Sequence, residues 1–200
     1  IDLDNSYLTA PATAAEHATE LVEAAGLKTR FYEPKNFTAT TLPDITTKFD
    51  FMCSPRSISD LSSKIGLGYI GPRVRRIVKS ACFPVLITSP VYKPWNSITV
   101  FFGGSSNAVN ALRLGCRICR ATGMTLNMFT QVDKGRRRED YEKIIDKNDL
   151  GADVERHVNR WDLFDTGTFE DNLYQVPHDA LAVVGAYGHN IVRDIMFGSK

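Results

Sequence analysis

The residues with the clearest chemical potential are glycines. Residues 180–199 read ALAVVGAYGHNIVRDIMFGS, and within them Gly185, Gly188, Gly198 and Ser199 fall in the spacing G-x2-G-x9-G-S. Glycine admits positive φ and lets backbone N–H groups turn inward around an anion. Ser199 adds a hydroxyl where a new helix would begin, a position whose free N–H groups suit phosphate. The chemistry such a stretch serves is phosphate binding, and the plainer alternative is a glycine-rich surface loop. His189 follows Gly188 directly, so it is either a further phosphate donor or an exposed loop histidine. Arg193 could neutralise phosphate charge, but an exposed arginine is the simpler reading.

Other reactive residues form weaker constellations. Cys116 and Cys119 make a lone C-x2-C late in an expected helix. Thioredoxin-like chemistry needs such a pair at a helix N-terminus, and zinc needs two more ligands, so a pair of small buried residues is the better reading. Lys134, Arg136, Arg137 and Arg138 are the densest basic run. Glu139, Asp140 and Glu142 offset it at once, which favours a solvated helix start over an anion site. His17, His157 and His178 have no visible catalytic partners. No Walker A, HExxH or G-x-S-x-G pattern occurs, and no nucleophile–base set is visible.

The elements that must position the glycines alternate between strand and helix. A helix is expected over residues 11–25, with Ala14, Ala18, Leu21, Val22 and Ala25 on one face and Gly26 as its stop. Strands follow over 27–32 and 49–53, then a polar loop to Gly71. Pro72 opens a helix carrying Val74, Ile77, Val78 and Ala81, and residues 83–88 (FPVLIT) form a strand. The proline-bearing linker SPVYKPWN resets the composition near Trp95. A second series begins with a strand over 98–102 and a serine-capped helix over 106–121 ending near Gly123. Strands over 125–130 and 152–158, helices over 139–147 and 168–174, and a strand over 180–185 complete it. Such alternation argues an α/β fold with a parallel, doubly wound sheet.

The short apolar strand followed by G-x2-G-x9-G-S resembles the nucleotide-binding signature of the universal stress protein family. The resemblance implies a Rossmann-like five-stranded parallel sheet in the order 3-2-1-4-5, present here as two tandem, incomplete copies. The first copy would span residues 1–95 and lack its opening elements. The second would span 96–200 and lack its closing helix and strand. The family pattern places Phe102 and Gly103 opposite Gly185 across the nucleotide, with Gln131 near the adenine edge offering backbone groups. Many members have an aspartate touching the nucleoside where Gly103 stands. In the first copy the two glycine positions before Gly71 hold Ile58 and Leu61, and its loop is four residues longer. That copy is expected not to bind ATP. Ser57, Ser59, Ser62 and Ser63 could bond an anion there, though a plain surface loop is favoured.

Composition limits the alternatives. The chain has 200 residues, 43% hydrophobic and 24% charged, with a formal net charge of +1. This is ordinary globular composition, with no global electrostatic case for nucleic acid or a membrane surface. No apolar run approaches a membrane span, and four cysteines are too few for a disulfide scaffold. A reduced, cytoplasmic protein is expected. The chain opens at Ile1 and stops one residue after Ser199, so a fragment is expected too. The function expected is binding of ATP or a related adenine nucleotide in the second copy, with magnesium left open. The copies would pair with one another, and a homodimer also remains open. The rival is a dimerisation or regulatory module that binds no nucleotide. An enzyme, with weak ATP hydrolysis at most, has the least support.

Overall fold

Short β-branched and aromatic runs separated by helices form two parallel sheets. The computed structural model describes residues 11–30, 50–55, 70–88 and 93–185. Chain contacts divide the protein into Ile1–Lys48 and Phe49–Lys200. Among the described residues no helix is long and apolar enough to cross a membrane.

In the first unit the described element is helix α1 (Pro11–Ala24). Gly26 stops it, as its sequence predicts, at φ +74°. Its N–H donates to Glu23 O at 2.8 Å and the Leu27 N–H to Val22 O at 3.1 Å, which satisfies the last carbonyls of the helix. The expected apolar face is only partly realised, for Leu21 is 60% exposed. Residues 27–30, expected to open a strand, carry none. Their apolar–polar alternation has no strand partner among the described residues, and period alone does not make a strand.

The second unit begins with a β–α–β element. Strands β1 (Met52–Pro55) and β2 (Val85–Thr88) pair in parallel, Cys53 opposite Leu86, and helix α2 (Pro72–Ser80) lies between them in sequence. Ile70 and Val74 are buried, with Val78 and Ile87 packed against them. Strand β1 starts three residues later than expected because pairing to β2 begins at Met52, which leaves Phe51 55% exposed.

The larger sheet has four strands: β3 (Ser97–Phe101), β4 (Thr125–Gln131), β5 (Val158–Phe164) and β6 (Ala180–Val184). All pair in parallel, in the order β5-β4-β3-β6. Numbered from β3, that order is 3-2-1-4, as the alternation and the family pattern predict. Helix α3 (Ser106–Thr122) covers one face. The Ser105 hydroxyl caps it by accepting from the Ala108 N–H at 3.1 Å, and Gly123 ends it at φ +72°. Its stripe of Ala108, Val109, Ala111, Leu112, Gly115 and Cys116 is buried at helical spacing. That stripe meets Ile98 and Val100 of β3, Leu126 and Met128 of β4, and Val183 of β6 in one core. Helix α4 (Arg138–Lys147) adds Tyr141 and Ile145 to it.

One expected strand is a helix. Residues 152–157 belong to α5 (Gly151–His157), and the strand follows as β5. Ala152, Val154 and Val158 alternate like a strand, yet Val154 and Val158 also stand four apart and both pack on the core. True β5 was hidden because it is a sheet edge: Arg160 and Asp162 break its apolar run and pair with each other at 2.9 Å. The expected short helix over 168–174 is present as α6 (Phe169–Asn172) followed by a 3-10 turn (Leu173–Gln175).

Gly115 sets the spacing between α3 and the sheet. A β-carbon there would collide with Val100 Cγ2 and lie 3.4 Å from Leu126 Cδ1. Replacing a mid-helix glycine by alanine ordinarily stabilises by about 1 kcal/mol, whereas overpacking costs about 1–3 kcal/mol. Gly115→Ala should therefore lower stability in urea denaturation. In a Val100→Ala background the same change should raise stability instead; destabilisation there of equal size would mean that the Val100 contact is not the cause.

Candidate functional site

The carboxyl ends of β3 and β6 lie side by side, with Phe101 paired to Val184. Sheet order reverses here: from β3 the chain moves to β4 and β5 on one side, then returns to β6 on the other. In open parallel sheets this reversal leaves a crevice beyond the strand ends, where ligands bind. Phe102 and Gly185 are the first residues past the two strands, so the expected pair lies side by side at that reversal.

Gly185 is a residue of close approach. A β-carbon on it would stand 2.5 Å from the Asn107 carbonyl carbon and 2.6 Å from the Ala108 amide nitrogen. The chain leaving β6 thus passes directly against the first turn of α3. Only glycine fits, because the obstacle is backbone and cannot rotate away. Gly104 meets a second constraint, at φ +75°, in the turn from β3 into α3. A β-carbon there would lie 2.8 Å from Ile144 Cδ1 and 3.2 Å from Arg136 Nη1.

Phe102 is scaffold. Its ring is 1% exposed and meets Tyr141 and Trp161 edge-on, with centroids 6.4 and 6.2 Å away. Its N–H donates to Phe129 O at 2.8 Å, and its carbonyl accepts from the Thr130 hydroxyl at 2.8 Å. The same hydroxyl accepts from Trp161 Nε1 at 2.9 Å, which ties the ends of β3 and β4 to the middle of β5. Gly103 is half-buried and presents no side chain to the crevice.

Gln131 is a bridge. Its Nε2 donates to Phe164 O at 3.1 Å, and its Oε1 accepts from Asn172 Nδ2 at 2.8 Å. Asn172 also donates to Thr166 O at 2.9 Å, so the amide pair fastens α6 to the end of β4. Phe169 of α6 packs across Phe101 and Phe129 at 5.9 and 5.5 Å. This bridge has no sequence signal, since Gln131 and Asn172 are far apart in the chain and neither belongs to a motif.

Gly188, His189, Gly198 and Ser199 lie outside the described residues, as do Arg193 and the first-copy residues Ser57, Ile58, Ser59, Leu61, Ser62 and Ser63. Of the expected site, Phe102, Gly103 and Gly185 come together at the end of β3 and β6. Gln131 stands one strand further, at the end of β4.

The cysteine pair is structural in its surroundings. Cys116 is fully buried and Cys119 partly so. Burial, with the Asp153 carboxylate a lesser cause, pushes the Cys116 thiol up to about 11. A nucleophilic thiolate needs the opposite shift. Among the described residues no group of three or more His, Cys, Asp or Glu side chains could hold a metal ion.

The basic run is divided. Arg138 pairs with Glu142 at 2.8 Å and lies over the Trp161 ring at 4.9 Å. Arg136 pairs with Asp133 at 3.4 Å and lies over the Tyr141 ring at 5.6 Å. Lys134 and Arg137 are exposed.

No protein-family model matches the chain, and no curated protein matches it.

Two predictions follow from the geometry. Gly185→Ala should destabilise by about 1–3 kcal/mol, since backbone of α3 must shift to admit the methyl group. Native-state hydrogen exchange should show the first turn of α3 opening more readily, and unchanged protection at Ala108 and Val109 would count against the close approach. The second concerns the cap of α6. The Asp171 carboxylate accepts from the Thr168 hydroxyl at 2.7 Å and from its N–H at 3.3 Å. These bonds, the hydroxyl first, hold the Asp171 carboxyl below its usual range. A depressed folded pKa gives stability that is present above the unfolded carboxylate pKa and lost as pH falls through the lower folded value. Carboxyl NMR titration should find Asp171 lowered in the parent and raised toward the ordinary range in Thr168→Ala, which loses the hydroxyl bond and keeps the one from the N–H.

Proposed function

We propose that this protein is a tandem universal-stress-type protein whose second copy, residues 96–200, binds ATP or a related adenine nucleotide. It acts as a nucleotide-dependent regulator of a stress response in the cytoplasm. The observation that carries the reading is the position of Gly185. It leaves β6 at the reversal of strand order, with its backbone against the first turn of α3. A glycine-bearing segment starting there begins beside the first turn of α3, at the reversal of strand order where parallel sheets take ligands.

The two sheets lend support to the tandem arrangement. The larger one has the order 3-2-1-4, and β1, α2 and β2 form a parallel β–α–β element like the closing 4–5 part of the same pattern. In the five-stranded reading, the first copy contributes its end and the second its beginning, and the two pair within the chain. Bound nucleotide would order the glycine loop and change the surface presented to a partner, which is regulation by population shift and needs no chemical step.

One observation favours the rival. Gly185 has a sufficient packing reason to be glycine, so this residue alone would also be present in a dimerisation module that binds nothing.

Calorimetric titration with ATP, with and without magnesium, separates the two. One site per chain is expected, because Ile58 and Leu61 occupy the glycine positions of the first loop. Gly188→Val should abolish binding while the nucleotide-free protein melts normally, since a β-branched side chain obstructs the backbone approach that the reading requires. Ser199→Ala, which removes one donor to an anion, should weaken binding about ten- to a hundred-fold. ATP binding by Gly188→Val equal to that of the parent would put the site outside this loop, and absence of ATP binding by the parent would leave the dimerisation module as the reading.

A further inference from the structure

Charge is segregated along this chain. Residues 70–95 hold five cations (Arg73, Arg75, Arg76, Lys79 and Lys93) and no aspartate or glutamate. Residues 161–179 hold five carboxylates (Asp162, Asp165, Glu170, Asp171 and Asp179) and no lysine or arginine. The formal net charge of +1 conceals this separation. Both stretches belong to one unit, Phe49–Lys200.

Part of each set is occupied inside the molecule. Arg75 Nε donates to Ile70 O at 2.6 Å and Lys93 Nζ to His178 O at 3.0 Å. Arg160 holds Asp162 at 2.9 Å, and the Asp179 carboxylate accepts from Asn96 Nδ2 at 2.7 Å. The rest faces outward. Arg76 and Lys79 stand three apart on α2, so they share a face, away from the buried Val74. Both are exposed and carry no ion pair among the described residues, and neither do the exposed Asp165 and Glu170. Tyr174 follows Glu170 by one turn along α6 and the 3-10 turn. It is 82% exposed, more than any other large hydrophobic side chain described. This acidic patch has a fixed shape, because the Thr168–Asp171 cap, the Asn172–Gln131 bond and Phe169 all hold α6. A surface already ordered loses little entropy when a partner docks.

We propose that this chain pairs with a second copy of itself, the outer face of α2 in each copy lying on the α6 patch of the other. Opposite potentials steer the encounter and fix its register. The Tyr174 ring offers its face to the Arg76 guanidinium of the other copy. Each copy carries both faces, so a two-fold axis makes the contact twice and closes the pair. A polyanion or a lipid surface is the poorer occupant of α2. The acidic patch of the same unit repels it, and the net charge supplies no long-range attraction. The pairing is independent of the nucleotide reading.

Sedimentation velocity of the full chain without nucleotide tests it. The parent should be a dimer in about 0.01 M salt, where the Debye length is about 30 Å, and should dissociate in about 1 M, where it is about 3 Å. Arg76→Glu with Lys79→Glu reverses the basic face, and Asp165→Lys with Glu170→Lys reverses the acidic one. Each reversed form alone should pair at least about ten-fold more weakly. An equimolar mixture of the two should regain pairing, since every contact again joins opposite charges. Tyr174→Ser should weaken the parent pair as well, and an unchanged value removes the tyrosine from the interface. Thermal melts identify any form that fails to fold, and Lys79→Glu and Glu170→Lys alone then serve in its place. A parent that is monomeric in low salt overturns the proposal, and capture of that monomer by phosphatidylserine vesicles assigns α2 to a lipid surface instead. A dimer that ignores both reversals, or a mixture that recovers nothing, overturns the contact between α2 and α6.

Discussion

Helix α3 lies closer to its sheet than side chains ordinarily permit, and two glycines make that approach. Gly115 rests on Val100 in the middle of the helix, and Gly185 passes under its first turn from the neighbouring strand. Between them they let α3 approach β3 and β6 where a β-carbon would collide. Everything at the carboxyl edge inherits that placement: the Ser105 cap, the Gly103–Gly104 turn, and the direction in which the chain leaves β6. A ligand crevice at a strand reversal is a property of topology, but its width is a property of packing. Here the approach of α3 to the sheet is set by contacts between backbone and side chain, or backbone and backbone, that have no room to adjust.

The other half of that edge is held by polar groups. The Thr130 hydroxyl sits at 1% exposure, accepting from Trp161 Nε1 and donating to the Phe102 carbonyl, so β3, β4 and β5 share one oxygen. Gln131 and Asn172 extend the tie to α6. A buried hydroxyl with both roles filled is favourable; the same hydroxyl with one role lost leaves a buried group unsatisfied, at about 1–3 kcal/mol. The edge is therefore rigid where it carries β3, β4 and β5. Such rigidity suits a platform that keeps its shape while an adjoining segment responds to ligand.

Much of this was legible in the sequence because the relevant signals are local. Serine before residue 106, glycine at 123 and the apolar stripe between them specify α3 in full, and the alternation of strand and helix gives the parallel sheet. The order 3-2-1-4 came from the family pattern and is present in the larger sheet. What failed was β5, whose Arg160 and Asp162 mask an edge strand, while Val154 satisfies helical and strand periods alike. At the reversal of strand order, the adjacency of Phe102 and Gly185 was foreseen. The packing duty of Gly185 was not, because it depends on Asn107, a residue distant in sequence. Gln131 was read for its backbone, yet its side chain is the part with a described task. The placement of Arg136 over Gly104 could not be read at all, for charge counting along the chain sees only Glu139, Asp140 and Glu142 nearby.

Trp161 has a further consequence. The chain has two tryptophans, and Trp95 is 43% exposed. The Trp161 indole is half-buried, bonded to Thr130 on one edge and covered by the Arg138 guanidinium on one face. It stands between Thr130 of β4 and Arg138, the last residue of the basic run. An indole's emission follows the polarity and the charge around its ring, so this one is a native optical probe seated at that junction. A change in how the loop lies on the core is written into its spectrum, with no label introduced and no residue replaced.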